Sequence, residues 1–142
     1  RREQVNRLLK TVSEQAREIR PGVQVSAAVF SRYPQCRERV GQDWPRWVKA
    51  GWLDFVCPMD YFSSNTVLRD LAGDQLRRVA GRIPVYPGLG ASSSNGGLPA
   101  TQVAEQLLIL RDLGAPGFVI FQYDAATAHD LLPALERGVL AP

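Results

Sequence analysis

Apolar residues fall along this chain in two alternating rhythms. Over residues 2–19, Val5, Leu8, Leu9, Val12, Ala16 and Ile19 recur at three- and four-residue spacing. That spacing makes one stripe of an amphipathic helix, and Pro21-Gly22 ends it. Residues 23–30 form a short run rich in β-branched side chains, the pattern of a strand buried on both faces. A polar loop with Pro34 and Gly41 leads to Asp43, placed to cap a short helix over residues 44–50 that Gly51 stops.

The same grammar then repeats. Residues 52–59 predict a strand and residues 66–80 a helix. Residues 83–87 predict the third strand, followed by a loop over 88–99 and a helix over 100–113 closed by Gly114. Residues 117–123 predict the fourth strand, and a last helix covers 126–137 with Gly138 behind it. The strand centres Val25, Phe55, Val85 and Val119 are 30, 30 and 34 residues apart, the spacing of parallel strands joined by crossover helices. A doubly wound sheet would favour a glycine-rich phosphate turn after its first strand, and Phe30-Ser31-Arg32-Tyr33-Pro34 is nothing like one. A full (β/α)₈ barrel takes about 250 residues, against 142 here. The expected fold is therefore α/β, a single domain over residues 1–142. Its four parallel β/α units would form the C-terminal half of a (β/α)₈ TIM barrel.

Charge changes the picture little. The net charge of +3 lies wholly in residues 1–20, which hold six Arg/Lys and three Asp/Glu. The excess sits on one helix mixed with acids, a solvated face and not a phosphate-binding stripe, so no nucleic-acid partner is expected. No apolar run approaches the roughly 18 residues of a membrane span. Cys36 and Cys57 form no CxxC pair and His129 is the only histidine, too few ligands for structural zinc. Two buried free thiols are expected, with a single disulfide as the alternative in an exported protein, and no cofactor. The opening Arg1-Arg2 leads to the expectation that the chain is part of a longer one.

Barrel active sites lie at the C-terminal ends of the strands, and those positions are polar and aromatic here. The first strand runs out into Ser31-Arg32-Tyr33, the second into Asp60-Tyr61-Phe62, the third at Tyr86-Pro87-Gly88 and the fourth at Gln122-Tyr123-Asp124. Aromatic rings beside carboxylates and amides suit sugars, whose CH faces stack on rings while their hydroxyls need directional partners. Asp60 is the candidate catalytic carboxylate, with loop capping as the alternative. Arg32, Tyr61, Tyr86, Gln122, Tyr123 and Asp124 are the candidate substrate-binding residues. Arg32 has the alternative of a surface salt bridge, and Asp124 that of a helix N-cap. Trp44, Trp47 and Trp52 read as core packing, His129 lies away from the strand ends, and residues 92–97 read as either a lid or a flexible loop.

The segments Asp43-Trp44-Pro45-Arg46-Trp47-Val48-Lys49-Ala50-Gly51-Trp52-Leu53-Asp54-Phe55-Val56-Cys57-Pro58-Met59-Asp60-Tyr61 and Val85-Tyr86-Pro87-Gly88-Leu89-Gly90 resemble the glycosyl hydrolase-like 10 (DUF187) family of barrel proteins. Gly117-Phe118-Val119-Ile120-Phe121-Gln122-Tyr123 is similar to its last strand. The resemblance implies a secreted or envelope-associated bacterial barrel acting on glycosides, whose acidic Asp-Tyr-x-Arg-Tyr-Pro motif would precede Arg1. Glycoside hydrolysis uses two carboxylates, so Asp60 would supply one and an acid outside this chain the other. The rival expectations are a non-catalytic carbohydrate-binding barrel and a purely structural half barrel. An open half barrel also exposes sheet edges, so self-association is expected.

Overall fold

The structure is a computed structural model that describes residues 1–93 and 96–141. In chain order it contains α1 (Arg2–Ile19), β1 (Ser26–Phe30), α2 (Gln35–Val40), α3 (Trp44–Lys49), β2 (Phe55–Met59) and α4 (Asn65–Val79). Then follow β3 (Gly88–Leu89), β4 (Ser92–Ser93), β5 (Gly96–Gly97), α5 (Ala100–Asp112) and β6 (Val119–Ile120). A π-helical turn (Thr127–Leu131) runs into α6 (Leu132–Glu136). β1, β2, β3 and β6 form one sheet in that order, every neighbouring pair parallel. The expected α/β class, with four parallel strands adjacent in chain order, is thus observed.

Several elements differ from the hydrophobic pattern for local reasons. The third strand was expected over 83–87, yet the continuous ladder lies at Gly88–Leu89, and Val85 makes only a single bridge to Val56. Pro84 and Pro87 have no N–H to give a ladder; Pro84 contributes its carbonyl to Val56 N instead. α2 falls in the stretch expected as loop, because Gln35–Val40 has no apolar period to announce it. Asp43 starts α3 but does not cap it with its side chain; its carboxylate accepts from the Tyr33 hydroxyl at 3.1 Å. The last helix begins as a wide turn. Pro133, near the start of α6, has no N–H for the regular ladder.

α1 has the expected bounds but turns a different face inward. Leu8, Val12 and Ile19 are exposed, whereas Asn6 and Ser13 are buried and Val5, Leu9 and Ala16 pack on the core. Polar groups can face inward here because each has a partner. Trp47 Nε1 donates to Asn6 Oδ1 at 2.6 Å, and Arg17 donates to Ser13 Oγ at 2.8 Å. Arg17 Nη2 also donates to both oxygens of Asp54, whose carboxylate accepts from Val25 N and so joins α1 to the start of β1.

The strands sort their side chains by parity, as a pleated sheet must. Val29, Val56 and Val85 face the helices and join Trp44, Trp47, Leu53 and Val79 in one cluster. Leu89 and Ile120 join Leu68, Val103, Leu107, Leu131 and Leu135 in the other. On the opposite side Ser26, Ala28, Phe30 and Val119 are exposed. That side has its own packing rule, in which an aromatic ring flanking one strand lies over a glycine in or next to the neighbouring strand. A Cβ on Gly117 would come within 3.0 Å of the Tyr86 ring, and one on Gly88 within 3.1 Å of the Tyr61 ring. Cys36 is a buried free thiol and Cys57 a half-buried one.

Candidate functional site

The C-terminal ends of the four strands form the rim where the candidate residues were sought. Phe62, Tyr61 and Phe121 line it, because the chain leaves β2 through a tight turn in which Phe62 N donates to Asp60 O. The Tyr61 and Phe121 rings stack at 5.0 Å between centroids and 19° between planes, bridging the ends of β2 and β6. Burial pushes the Tyr61 hydroxyl above its ordinary pKa, with Cys57 and Asp60 adding to the rise. Gln122 and Tyr123 follow Phe121 and are exposed, and the Phe121–Gln122 peptide is cis. On the far side of the rim the Arg32 guanidinium lies 5.2 Å from the Phe62 ring centroid. Of the two alternatives for Arg32, no salt bridge forms among the described residues.

Tyr86 does not share this rim. Its N–H donates to Val56 O, and its ring packs edge-on to Phe55 at 5.5 Å. It stands two residues before Gly88, where β3 begins, or about 7 Å deeper at 3.3 Å per residue. The cause is the displaced third strand, which ends at Leu89 and not at residue 87.

Asp60 lies at the end of β2 but faces the helices. Its side chain is fully buried. Gln75 of α4 donates from Nε2 to Asp60 Oδ1 at 2.8 Å and to the Ser31 carbonyl at 3.2 Å. The second carboxylate oxygen and Gln75 Oε1 are both buried without a partner. Desolvation pushes the Asp60 carboxyl up to about 7, opposed by the Gln75 hydrogen bond. Protonation removes the charge that burial penalises, so the neutral acid fits this site better than the carboxylate.

Asp124 serves as a tie. One of its oxygens accepts from Thr127 N at 2.8 Å, the N-cap pattern, and the other from Ser92 Oγ at 2.5 Å. These bonds hold its carboxyl below the usual range and fasten the β4–β5 hairpin to the last helix. Of the stretch over 92–97 expected as a lid or flexible loop, residues 94 and 95 lie outside the described residues. His129 is exposed in the π-helical turn.

One feature of the rim escaped the sequence pattern. Phe30, Arg32, Arg39 and Phe62 line a cleft of about 250 Å³ between the end of β1 and α2. Arg39 reaches it only because α2 forms, and α2 had no sequence signal. Among the described residues no group of His, Cys, Asp and Glu could hold a metal ion, and no helix is long and apolar enough to cross a membrane. No family model matches the chain, and comparison with curated proteins gives no match.

Proposed function

We propose that this chain is the C-terminal half of a (β/α)₈ barrel of the glycosyl hydrolase-like 10 kind, and that its strand-end rim binds an oligo- or polysaccharide. The observation that carries the reading is the Tyr61–Phe121 stack at the ends of parallel strands, with Gln122, exposed, next in the chain after Phe121. Rings offer a face to the CH side of a sugar, and the amide offers both a donor and an acceptor to its hydroxyls. Sheet topology supports the half barrel. Four parallel strands lie in chain order with the helix clusters against one face, as one half of a barrel wall requires.

A second reading, hydrolysis with Asp60 as proton donor, is favoured by one observation. A carboxyl pushed up to about 7 keeps its proton near neutrality, as a glycosidase acid must. Its burial against Gln75 favours binding over catalysis, since the carboxyl reaches no open surface. The two readings separate in the full-length protein. Tyr61→Ala should weaken saccharide affinity roughly tenfold, on the scale of one lost stacking contact. Asp60→Asn should leave turnover unchanged if Asp60 is structural, and abolish it if Asp60 is the acid. A glycan panel that finds no bound saccharide at all would defeat both.

A further inference from the structure

We infer that the cleft at the end of β1 is a subsite for an acidic sugar, whose carboxylate lies against Arg32 and Arg39 and whose ring lies between Phe30 and Phe62. The inference rests on the saccharide reading above and names the class of sugar.

Both arginines line the cleft, and among the described residues neither guanidinium is in an ion pair or gives a hydrogen bond to the protein. Arg37, also on α2, is by contrast spent on Tyr33 and Glu38. Four other arginines are likewise matched: Arg17 with Asp54, Arg46 with Glu3, Arg69 with Asp112 and Arg78 with Asp74. Arg32 has a defined position without a carboxylate, because its guanidinium sits on the face of Phe62. Such stacking leaves the N–H edge free to form the two-pronged bond that arginine makes with a carboxylate. None of the eight lining residues is acidic, so nothing in the cleft opposes a negative ligand.

Shape selects the rest of the ligand. The walls are mainly apolar, with Phe30 half exposed toward the opening. The volume of about 250 Å³ is just below the roughly 300–1,000 Å³ typical of small-molecule pockets, and suits one sugar unit of a longer chain. A bare phosphate would leave both rings unused. A neutral hexose would leave the charge of both arginines unmatched. A uronic acid uses all four.

The test is calorimetric titration of the full-length protein with trigalacturonate, its methyl ester, the neutral trisaccharide cellotriose and inorganic phosphate. Trigalacturonate should bind at least tenfold more tightly than its uncharged ester, and its affinity should fall as salt rises. Arg32→Ala and Arg39→Ala should each erase most of that preference, while Arg32→Lys should restore only part of it because lysine lacks the fork. Both side chains are exposed, so folding should survive, and near-ultraviolet circular dichroism would show that it does. Equal affinity for acid and ester, or affinity unmoved by both alanine variants, would overturn the inference. Phosphate binding as tightly as trigalacturonate would reduce the cleft to an anion site and overturn it too. If cellotriose binds and acidity brings no gain, only this inference fails. If no saccharide binds, the saccharide reading fails with it.

Discussion

Replacing Asp60 by asparagine should make the protein more stable, and increasingly so as pH rises. The carboxyl is fully buried with one oxygen unpartnered, and titrates at about 7 against an ordinary 3.8. Its folded-state pKa is raised, so between about pH 4 and 7 the folded protein holds a proton that the unfolded chain has released. Stability then falls as pH rises through that window, and the loss is complete above the folded pKa. A gap of about three units, at about 1.4 kcal/mol each, puts the full cost of the buried charge on the order of 4 kcal/mol. The substituted asparagine cannot ionise, so it never brings that charge into the interior.

Urea unfolding followed by tryptophan fluorescence measures this directly, since Trp44 and Trp47 are buried in the core. At pH 4 variant and wild type should unfold within about 1 kcal/mol of each other, the scale of one exchanged hydrogen bond. At pH 8 the variant should lead by several kcal/mol, with equal m-values. Groups that titrate alike in both proteins, such as Asp54 and Glu3, cancel in the difference. A difference that stays flat from pH 4 to 8 would refute the reasoning. So would a variant that loses ground as pH rises, which would mean that the carboxylate has a cationic partner or donors beyond Gln75.

Asn6→Ala should cost about 1–3 kcal/mol, because it leaves the Trp47 indole N–H buried without an acceptor; urea midpoints at constant m would show it. Gly117→Ala should cost about 1–3 kcal/mol by the same assay, since its Cβ would meet the Tyr86 ring at 3.0 Å, and a neutral outcome would mean the ring moves freely. Gly88→Ala should weaken saccharide binding as well as stability, because its Cβ meets both Pro58 O at 3.0 Å and the Tyr61 ring. Titration of the variant with the saccharide that the wild type binds would check this, and unchanged affinity would count against it.

The fold was legible where residues speak through periodicity. α1 falls at Arg2–Ile19 and α5 at Ala100–Asp112, within a residue of the pattern, because long amphipathic runs leave little choice of boundary. Strand limits were less legible. Apolar runs of up to eight residues became strands of two to five, since a ladder needs a paired neighbour as well as an apolar side chain. Proline decided the third strand. The inward face of α1 was misread for a different reason: hydropathy cannot foresee that Asn6 finds Trp47 or that Ser13 finds Arg17, partners 41 and four residues away.

The candidate residues were legible in position but not in direction. Every candidate lay on the strand ends or close beneath them, because parallel β/α units gather those ends on one side. Direction depends on parity, and parity depends on where the ladder begins. Met59 pairs with Gly88 and faces away from the helices, so Asp60, one residue on, turns its carboxyl toward α4. The same alternation carries Tyr61 back over Gly88 to meet Phe121. One residue of register thus separates a carboxyl on the rim from one under it. Inserting a single alanine between Met59 and Asp60 should exchange those roles, bringing the acid to the open side and the tyrosine to the buried one. The exchanged carboxyl should lose its proton near pH 4, and the pH dependence of stability over pH 4–7 should vanish with it. Carboxyl titration by NMR in the wild type and the insertion variant would decide this, and an Asp60 resonance near 7 in both would show that parity does not set its surroundings.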